Sequence, residues 1–222
     1  MIGINFHGIG TPHGRVPADE VPYWLDEPAF AGLVARIAAL RSAGQDIRIT
    51  FDDGNLSDLA IAAPILNAHG LKGEFFVLTG RLDDPDYLSP QGIQALMAMG
   101  HAIGLHGRDH VDWRKVDGAT LIAETRDARQ RLAAITGTAI NSVAIPFGAY
   151  DRRVIRHLRQ EGFAAIHTSD GGVANARARV RPRTSLRQDM DAATLDAILA
   201  GRSPPMKTLR RRLSMLLRQH VK

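Results

Sequence analysis

Two short stretches of the sequence combine residue types that can hold a metal ion and activate water. The first is the pair Asp52 and Asp53, which closes an apolar run and leads into a helical pattern. Adjacent carboxylates repel each other unless a cation neutralises one of them, and the other is then available as an acid or a base. A strand-to-helix turn in which one aspartate caps the helix is the structural alternative, and the pair alone leaves both open.

The second stretch runs from His106 to His110 and directly follows another apolar run. Two histidines four residues apart can converge on one metal ion if the chain between them turns. Because the chain holds nine histidines, this spacing also arises by chance. Combined with one aspartate of the first pair, however, the two histidines form the open-sided ligand set of a hydrolytic zinc or similar divalent site. The chain has no cysteine, so a metal ion must be held by histidine and carboxylate side chains.

An alternation of short apolar runs and helical periodicities predicts the elements that position these residues. The predicted strands cover residues 2–6, 47–51, 73–78, 102–105, 142–145, 163–168 and 180–186, and the predicted helices cover residues 29–43, 59–69, 90–99, 119–136, 152–161 and 192–199. A glycine follows five of these helices, where a left-handed cap favours it. Repeated βαβ units of this length predict an α/β fold, a distorted (β/α)7 barrel, with a flat doubly wound sheet as the alternative. In both, the chemistry lies at the carboxyl ends of the strands.

A third motif, Pro146-Phe147-Gly148-Ala149-Tyr150, follows the fifth predicted strand and is typical of a rigid turn. With the three motifs in this order, the sequence resembles the polysaccharide deacetylases, the NodB-homology or chitin-deacetylase family (carbohydrate esterase family 4). The resemblance runs from about Phe6 to Arg183. The matching stretches are TFDDG (residues 50–54), GEFFVLTG (residues 73–80), GHAIGLHGRDH (residues 100–110) and PFGAY (residues 146–150).

The resemblance implies a division of labour among the motif residues. Asp53, His106 and His110 would bind a divalent metal ion, zinc first and cobalt, nickel or manganese as alternatives, and Asp52 would be the general base. The oxyanion would rest on the metal ion and on a backbone N–H of the third motif, that of Phe147. The reaction would be hydrolysis of an N-acetyl amide to acetate and a free amine. We expect substrate contacts from the residues around these motifs: Asp53, Pro146, Phe147, Gly148, Tyr150 and Trp113.

The sequence departs from the family pattern at three places, one of which is the fourth motif, normally an aspartate and tryptophan set, that is not recognisable here. Ala144 stands where the family usually has an arginine that orients the base, and we expect Arg183 to replace it, although an arginine at a barrel rim is the alternative. The usual terminal histidine motif is also missing, which leaves the general acid open. The candidates are His167 and His7, with Asp170 available to orient an imidazole, and a packed or solvated histidine is the alternative at either position.

Composition and charge limit the classes of partner that this protein can bind. The chain has 222 residues and a net charge of +5, but residues 202–222 hold seven lysines and arginines and no acid. The excess charge therefore lies in one segment, and no nucleic-acid-binding motif accompanies it. The first ten residues do not read as a signal peptide and no apolar run is long enough to span a membrane, so we expect a cytoplasmic protein unless a leader was removed.

We therefore predict a catalytic domain over residues 1–200 and a basic amphipathic helix over residues 201–222. Such a helix either lies on an anionic membrane surface or packs its leucines on the barrel. The leading functional hypothesis is a metal-dependent N-deacetylase of an N-acetylated sugar or glycan precursor. A hydrolase of a non-sugar linear or cyclic amide, and a catalytically silent glycan-binding module, are the alternatives.

Overall fold

The computed structural model describes residues 1–202 and 205–220. Within this part of the chain, eight strands form one sheet in the order β7-β6-β5-β4-β3-β2-β1-β8, and all neighbouring strands are parallel. The strands are β1 (Ile2–Phe6), β2 (Ile47–Phe51), β3 (Gly73–Leu78), β4 (Ala102–Gly107), β5 (Ser142–Ala144), β6 (Ala165–Thr168), β7 (Val180–Pro182) and β8 (Thr184–Ser185).

Helices connect the strands and surround the sheet. They are α1 (Glu27–Ser42), α2 (Ala63–Ala68), α3 (Pro90–Ala98), α4 (Gly118–Ile122), α5 (Ala128–Thr136), α6 (Arg152–Gln160), α7 (Ala192–Leu199) and α8 (Pro205–His220). Side chains of Asp26, Ser89, Asp117, Asp151 and Asp191 cap five of them by accepting a hydrogen bond from a backbone N–H of the first turn. The five glycines predicted to follow helices all have positive φ: Gly44, Gly70, Gly100, Gly137 and Gly162.

The barrel closes through a divided seventh strand. Strands β7 and β8 lie at opposite edges of the sheet, yet Arg183 alone separates them in the chain. β7 pairs with β6 and β8 pairs with β1, so the sheet curls into a nearly closed barrel. The predicted distorted (β/α)7 barrel is confirmed, with the predicted strand 180–186 split in two at the residue whose side chain enters the barrel.

Two of the predicted helices contain a π turn. The predicted helix 119–136 is α4 and α5 joined through the π turn Ala123–Asp127, and the predicted helix 59–69 begins with the π turn Asp58–Ala62 before α2. A π turn holds one extra residue per turn and often occurs at functional sites. Both turns here place a buried acidic side chain next to the motif residues.

Stacked aromatic rings fix the strand that leads into Asp52. The ring of Phe51 stacks on Phe6 and Phe75, with ring centroids 5.3 and 4.5 Å apart, and all three side chains are buried. Successive side chains of a strand point to opposite faces, so Thr50 and Asp52 point away from this aromatic layer. The stack therefore sets the direction of the carboxylate.

Helix α8 covers residues 205–220 of the segment 201–222 predicted to be helical, and most of its apolar side chains do not pack on the barrel. Residues 203, 204, 221 and 222 of that segment lie outside the described residues. Met206, Leu209, Leu213, Leu216 and Leu217 are exposed. Contact with the rest of the protein is made instead by Met215, which packs against the core, and by Arg218 and Gln219, which bind Asp170 and Arg159. The interpretation that the leucines pack on the barrel is therefore wrong.

We predict that Phe75→Ala destabilises the barrel, because it removes a buried ring from the stack that supports Phe51. The free energy of unfolding should fall by about 3–5 kcal/mol, measured by denaturant titration. Phe147→Ala is the matched control, since that ring is 58% exposed, and it should change the free energy of unfolding by less than about 1 kcal/mol. Equal losses in the two variants would contradict the role given to the stack.

Candidate metal centre

Asp53, His106 and His110 converge at the carboxyl end of the barrel. Asp53 follows β2, His106 lies near the end of β4, and His110 lies in the loop after β4. Oδ1 of Asp53 is 3.3 Å from Nε2 of His106 and 3.6 Å from Nε2 of His110. One ligand atom from each residue lies within 4.8 Å of the others. The grouping expected from the two motifs is therefore present.

The chemistry of these three side chains fits a divalent ion. Oδ1 of Asp53 is buried and has no hydrogen-bond partner among the described residues, which leaves its lone pairs free for a cation. The Nδ1 atom of His106 is 2.9 Å from the carbonyl oxygen of Ala144, and an N–H donated there directs Nε2 toward Asp53. Burial alone would raise the pKa of Asp53, but His106 and His110 lower it, so the carboxylate is ionised. Two imidazoles and one carboxylate suit zinc, cobalt or nickel.

The backbone at the site is strained. Asp53, His110 and Phe147 are the residues other than glycine with positive φ in residues 1–202 and 205–220, at 76°, 56° and 58°. This conformation costs a residue with a side chain roughly 1–3 kcal/mol and persists where the surrounding structure imposes it. All three residues belong to the motifs singled out from the sequence. The strained residues are thus two of the candidate metal ligands and the residue whose backbone N–H was expected to face the oxyanion.

Asp52 lies beside the three candidate metal ligands and is held by several polar contacts inside the barrel. Arg183 donates from its two terminal nitrogens to the two carboxylate oxygens, at 2.8 and 2.9 Å, and Asn5 donates to Oδ2 at 2.9 Å. Burial would raise the pKa of Asp52, but Arg183 and then His106 lower it to about 2. The contact predicted between Arg183 and Asp52 is present, and Asn5, which sequence analysis missed, completes it.

Glu124 is a second residue that sequence analysis missed. It lies in the π turn Ala123–Asp127 and is fully buried. Its carboxylate accepts hydrogen bonds from the backbone N–H groups of Arg108 and Asp109, at 2.9 and 3.1 Å, and from the indole N–H of Trp113 at 3.3 Å. Glu124 therefore holds the loop between the two histidine ligands. No sequence signal marks it, because an acidic residue within a helical pattern is usually exposed.

Glu20 reaches the site from the long loop before α1. Its Oε1 is 3.8 Å from Nδ1 of His110, on the side of the ring opposite the ligand atom Nε2. Burial raises the pKa of Glu20 to about 7, and the nearby Asp53 adds to this. A carboxylate behind a metal-binding histidine is a common way to orient the ring. Sequence analysis missed Glu20, because its only local signal is the proline- and glycine-rich composition of the segment around it.

Asp58 opens the π turn before α2 and is fully buried. Neither of its carboxylate oxygens has a hydrogen-bond partner among the described residues. Burial, together with Asp53 and Asp52, raises the pKa of Asp58 well above its usual value. These effects favour the neutral carboxylic acid, which adds no third negative charge behind the aspartate pair.

The two histidines proposed as general acids have different positions. His7, at the end of β1, lines the same cavity as Asp52 and His106, and its ring lies 4.9 Å from that of Tyr23. His167 is buried on β6 against Phe76 and does not line this cavity. The structure therefore does not support a catalytic role for His167, because its buried ring lies outside the cavity lining. Asp170, expected to orient an imidazole, instead accepts hydrogen bonds from Tyr150, Thr168 and Arg218.

The predicted substrate contacts also need correction. Trp113 is buried and bonded to Glu124, and Tyr150 is buried and donates to Asp170 at 2.8 Å. Pro146 and Gly148 are buried and do not line the cavity. These residues support the site rather than face a ligand. Phe147 does face the cavity, with its ring centroid 4.3 Å from that of His110.

A cavity of about 710 Å³ opens over these residues. It is lined at one end by Asp52, His106, His110, Phe147 and His7. Asp53 lines a small neighbouring cavity of about 30 Å³ together with Glu20 and His110, so its expected contact with substrate stays a prediction. The large cavity falls in the size range of pockets that bind small organic ligands, roughly 300–1,000 Å³.

Residues 41–166 match the sequence model of the polysaccharide deacetylase family, and the chain belongs to that family. A chitooligosaccharide deacetylase from Rhizobium leguminosarum bv. trifolii is 26% identical over 168 residues, which cover 73% of this chain and 69% of the relative. YxkH of Bacillus subtilis (strain 168) is 22% identical over 180 residues, which cover 77% and 64%. The chain spans 55% to 69% of the length of the curated relatives compared here.

The fold is shared with solved deacetylase structures. The Streptococcus pyogenes deacetylase PplD, solved in complex with acetate, superposes with a TM-score of 0.76. The match covers 92% of this chain and 98% of PplD at 17% sequence identity. At this identity the likeness supports the NodB-type barrel alone.

We predict that Glu124→Gln weakens metal binding without touching a ligand. A glutamine amide offers one acceptor oxygen and turns its NH2 group toward N–H donors, which leaves buried groups unsatisfied at a cost of about 1–3 kcal/mol. The dissociation constant for Zn²⁺, measured by competition with a chelator, should rise about tenfold or more. Asp127→Asn, an exposed change in the same helix, is the control. Equal Zn²⁺ affinity in the two variants would contradict the role of Glu124.

Proposed function

We propose that this protein is a metal-dependent N-deacetylase that removes the acetyl group from an N-acetylated sugar or glycan precursor. The observation that carries the proposal is the convergence of Asp53, His106 and His110 beside an ionised carboxylate, that of Asp52, which is held by Arg183 and lies outside the ligand group. Family membership supports the reaction class. The relative named as a chitooligosaccharide deacetylase supports a sugar substrate.

Asp53, His106 and His110 would hold the divalent ion, with zinc as the first choice and cobalt, nickel or manganese as alternatives. Such an ion supplies polarisation of the acetamide carbonyl and a lowered pKa for water. The protein's own contribution is to keep both Nε2 atoms and one carboxylate oxygen directed at one point. For His106 it does so through the hydrogen bond to the carbonyl oxygen of Ala144, while the Glu20 carboxylate lies 3.8 Å behind the His110 ring.

Asp52 is the general base in this proposal. Arg183 and Asn5 fix its carboxylate in one orientation. Oδ2 accepts two of these hydrogen bonds, whereas Oδ1 accepts one and keeps a lone pair with which to accept a proton. Its pKa of about 2 keeps it ionised at neutral pH. As water attacks the acetamide carbonyl, the proton passes from the water to Asp52.

His7 is the proposed general acid, and the Phe147 N–H is the proposed donor to the oxyanion. His7 lines the cavity that Asp52 and His106 share, and it can donate a proton to the leaving amine nitrogen when the C–N bond breaks. The left-handed backbone at Phe147 supports a specialised role for this peptide. The products are acetate and a free amine.

The size of the cavity favours a sugar over a small cyclic amide. A pocket too small for a hexose would have supported the amide hydrolase alternative, whereas about 710 Å³ leaves room for a saccharide and a further group. A catalytically silent binding module differs from the proposed enzyme in turnover alone. Measuring acetate release by the wild-type protein therefore separates the two hypotheses.

We expect Asp52→Asn to keep metal binding and lose turnover, and His106→Ala to lose both. Metal content after dialysis, measured by mass spectrometry, should be about one ion per chain in the wild type and in Asp52→Asn, because Asp52 is not a ligand. Acetate release from a panel of N-acetylated saccharides should fall at least about a hundredfold in Asp52→Asn, since general-base catalysis contributes about 10²–10⁴. Wild-type protein that binds a divalent ion but releases acetate from no compound of the panel would favour the silent module.

Helix α8 supports a peripheral membrane contact, and we keep the division into a catalytic domain of residues 1–200 and an appended segment of residues 201–222, in which α8 covers residues 205–220. In the described residues, no helix is long and apolar enough to cross a membrane. The exposed apolar stripe of α8 is flanked by the exposed Arg210 and Arg212, and the helix carries no acidic residue. An apolar face with a basic border is typical of helices that lie on an anionic bilayer.

We predict that the protein sediments with vesicles of phosphatidylcholine and phosphatidylglycerol but not with vesicles of phosphatidylcholine alone. Leu209→Glu with Leu213→Glu should abolish this binding, because both side chains belong to the exposed stripe. Leu56→Glu is the control, since Leu56 is also exposed but lies far from α8 in the sequence. If the double variant instead dissolves a dimer, as seen by analytical ultracentrifugation, the stripe binds a second copy of the chain and the membrane proposal is wrong.

A further inference from the structure

The cavity that contains Asp52 does not end at the metal centre. It continues between the loop of residues 169–172 and helix α7, and it reaches Arg202 and Arg211 at its other end. An acetamido group bound at the metal centre would therefore leave part of the cavity unfilled. The second end is where a further group attached to the same sugar would lie.

The two ends of the cavity differ in charge. The metal end carries the carboxyl groups of Asp52, Asp19 and Glu20. The other end carries two guanidinium groups that no carboxylate of the described residues pairs with. The acidic residues of this region are already bound to other arginines: Asp170 to Arg218, Asp189 to Arg187 and Asp196 to Arg36.

Arg211 is built into the cavity wall. Its guanidinium occupies the space that a side chain at position 172 would fill. Gly172 also has a φ of 80°, which a glycine adopts without strain, so a glycine at this position allows both the turn of the loop and the close approach of Arg211. Two turns along the same helix, Arg218 binds Asp170, which also accepts a hydrogen bond from Tyr150. The loop and α8 are thus held together, and Arg211 is positioned without a partner charge.

Two such guanidinium groups at one end of a cavity match phosphate chemistry. Arginine binds phosphate oxygens through two parallel N–H donors, and this geometry is the reason that arginine is frequent in phosphate sites. A phosphate monoester carries a charge of about −1.5 to −2, which two arginines offset and which the carboxylates of the metal end would repel. An anionic ligand would therefore be oriented with its phosphate away from Asp52.

We propose that Arg202 and Arg211 bind a phosphate or diphosphate ester of the substrate, so that the substrate is a phosphate-linked N-acetylated sugar rather than a neutral oligosaccharide. This inference rests on the proposed deacetylase function and adds the class of substrate to it. A nucleotide sugar and a lipid-linked sugar share the phosphate ester, and the experiment distinguishes them.

Equilibrium binding tests the phosphate subsite without requiring turnover. By calorimetry, the purified protein should bind N-acetylglucosamine 1-phosphate at least about tenfold more tightly than neutral diacetylchitobiose. Arg211→Gln and Arg202→Gln should each weaken binding of the phosphate ester about tenfold and leave binding of diacetylchitobiose unchanged. Arg212→Gln, exposed on the same helix and outside the cavity, is the control and should change neither.

Equal affinity for the neutral and the phosphorylated ligand would overturn the proposal, as would an equal loss in Arg212→Gln. Because Arg202 lies outside α8, its variant stays informative even if Arg211→Gln disturbs that helix. A tighter fit for an N-acetylated uronic acid than for the phosphate ester would also overturn it.

Turnover then separates this inference from the function on which it rests. Acetate release is measured from diacetylchitobiose, UDP-N-acetylglucosamine and a short-chain polyprenyl diphosphate N-acetylglucosamine. Release from none of the three would contradict the deacetylase function, whereas equal release from all three would contradict only the phosphate subsite. Preference for the nucleotide or for the polyprenyl compound supports the subsite and identifies the source of the phosphate.

Discussion

The buried ion pair between Arg183 and Asp52 joins the closure of the barrel to the chemistry of the site. Arg183 interrupts the last strand, and its side chain crosses the barrel interior to reach a carboxylate that follows the second strand. Both residues are almost completely buried. Removing one partner of such a pair leaves an uncompensated charge, at a cost of about 3–5 kcal/mol. The barrel and the carboxylate of the proposed general base therefore depend on the same contact.

The rest of the site is arranged around groups that would be unfavourable elsewhere in a protein. Asp53, His110 and Phe147 adopt left-handed backbone conformations, and Oδ1 of Asp53 has no hydrogen-bond partner within residues 1–202 and 205–220. Rigid neighbouring groups hold these residues in place. The aromatic stack of Phe51 on Phe75 supports the strand before Asp53, and the Glu124 carboxylate holds the loop before His110. Preorganised ligands lose little further freedom when they bind an ion, which is the advantage that such strain brings.

Much of the fold and the central part of the site could be predicted from the sequence. Short apolar runs and glycine stops located the strands and helices, and the two motifs brought Asp53, His106 and His110 together because parallel strands end at the same side of a barrel. Ala144 stands where the family usually has the arginine that orients the base. A carboxylate that must be oriented needs a partner, so Arg183 was predicted to bind Asp52 instead. The strands and the pairing of two histidines with one aspartate depended on local patterns, whereas the choice of Asp53 and the attention to Ala144 depended on the resemblance to the polysaccharide deacetylases.

Other features could not be predicted because they depend on contacts between distant segments. Asn5 and Glu124 act through hydrogen bonds to residues far away in the chain, and neither position has a local signature. Trp113 was expected to contact substrate, but its side chain is buried. Its direction could not be predicted, because an aromatic residue near the motif loops can face either a ligand or the core. The apolar side of α8 was misjudged because helical periodicity shows that a stripe exists and not which way it faces.

The π turn that contains Glu124 also constrains how this sequence can change its length. An α-helix advances about 100° per residue, so the extra residue in the turn sets the rotational phase of α5 relative to α4. Deleting one residue between 123 and 127 would restore regular helical geometry but rotate one of the two helices away from its present contacts. Either Glu124 would leave the histidine loop or Leu132 would leave the core. Insertions and deletions should consequently be tolerated before α4 or after α5, and selected against between them.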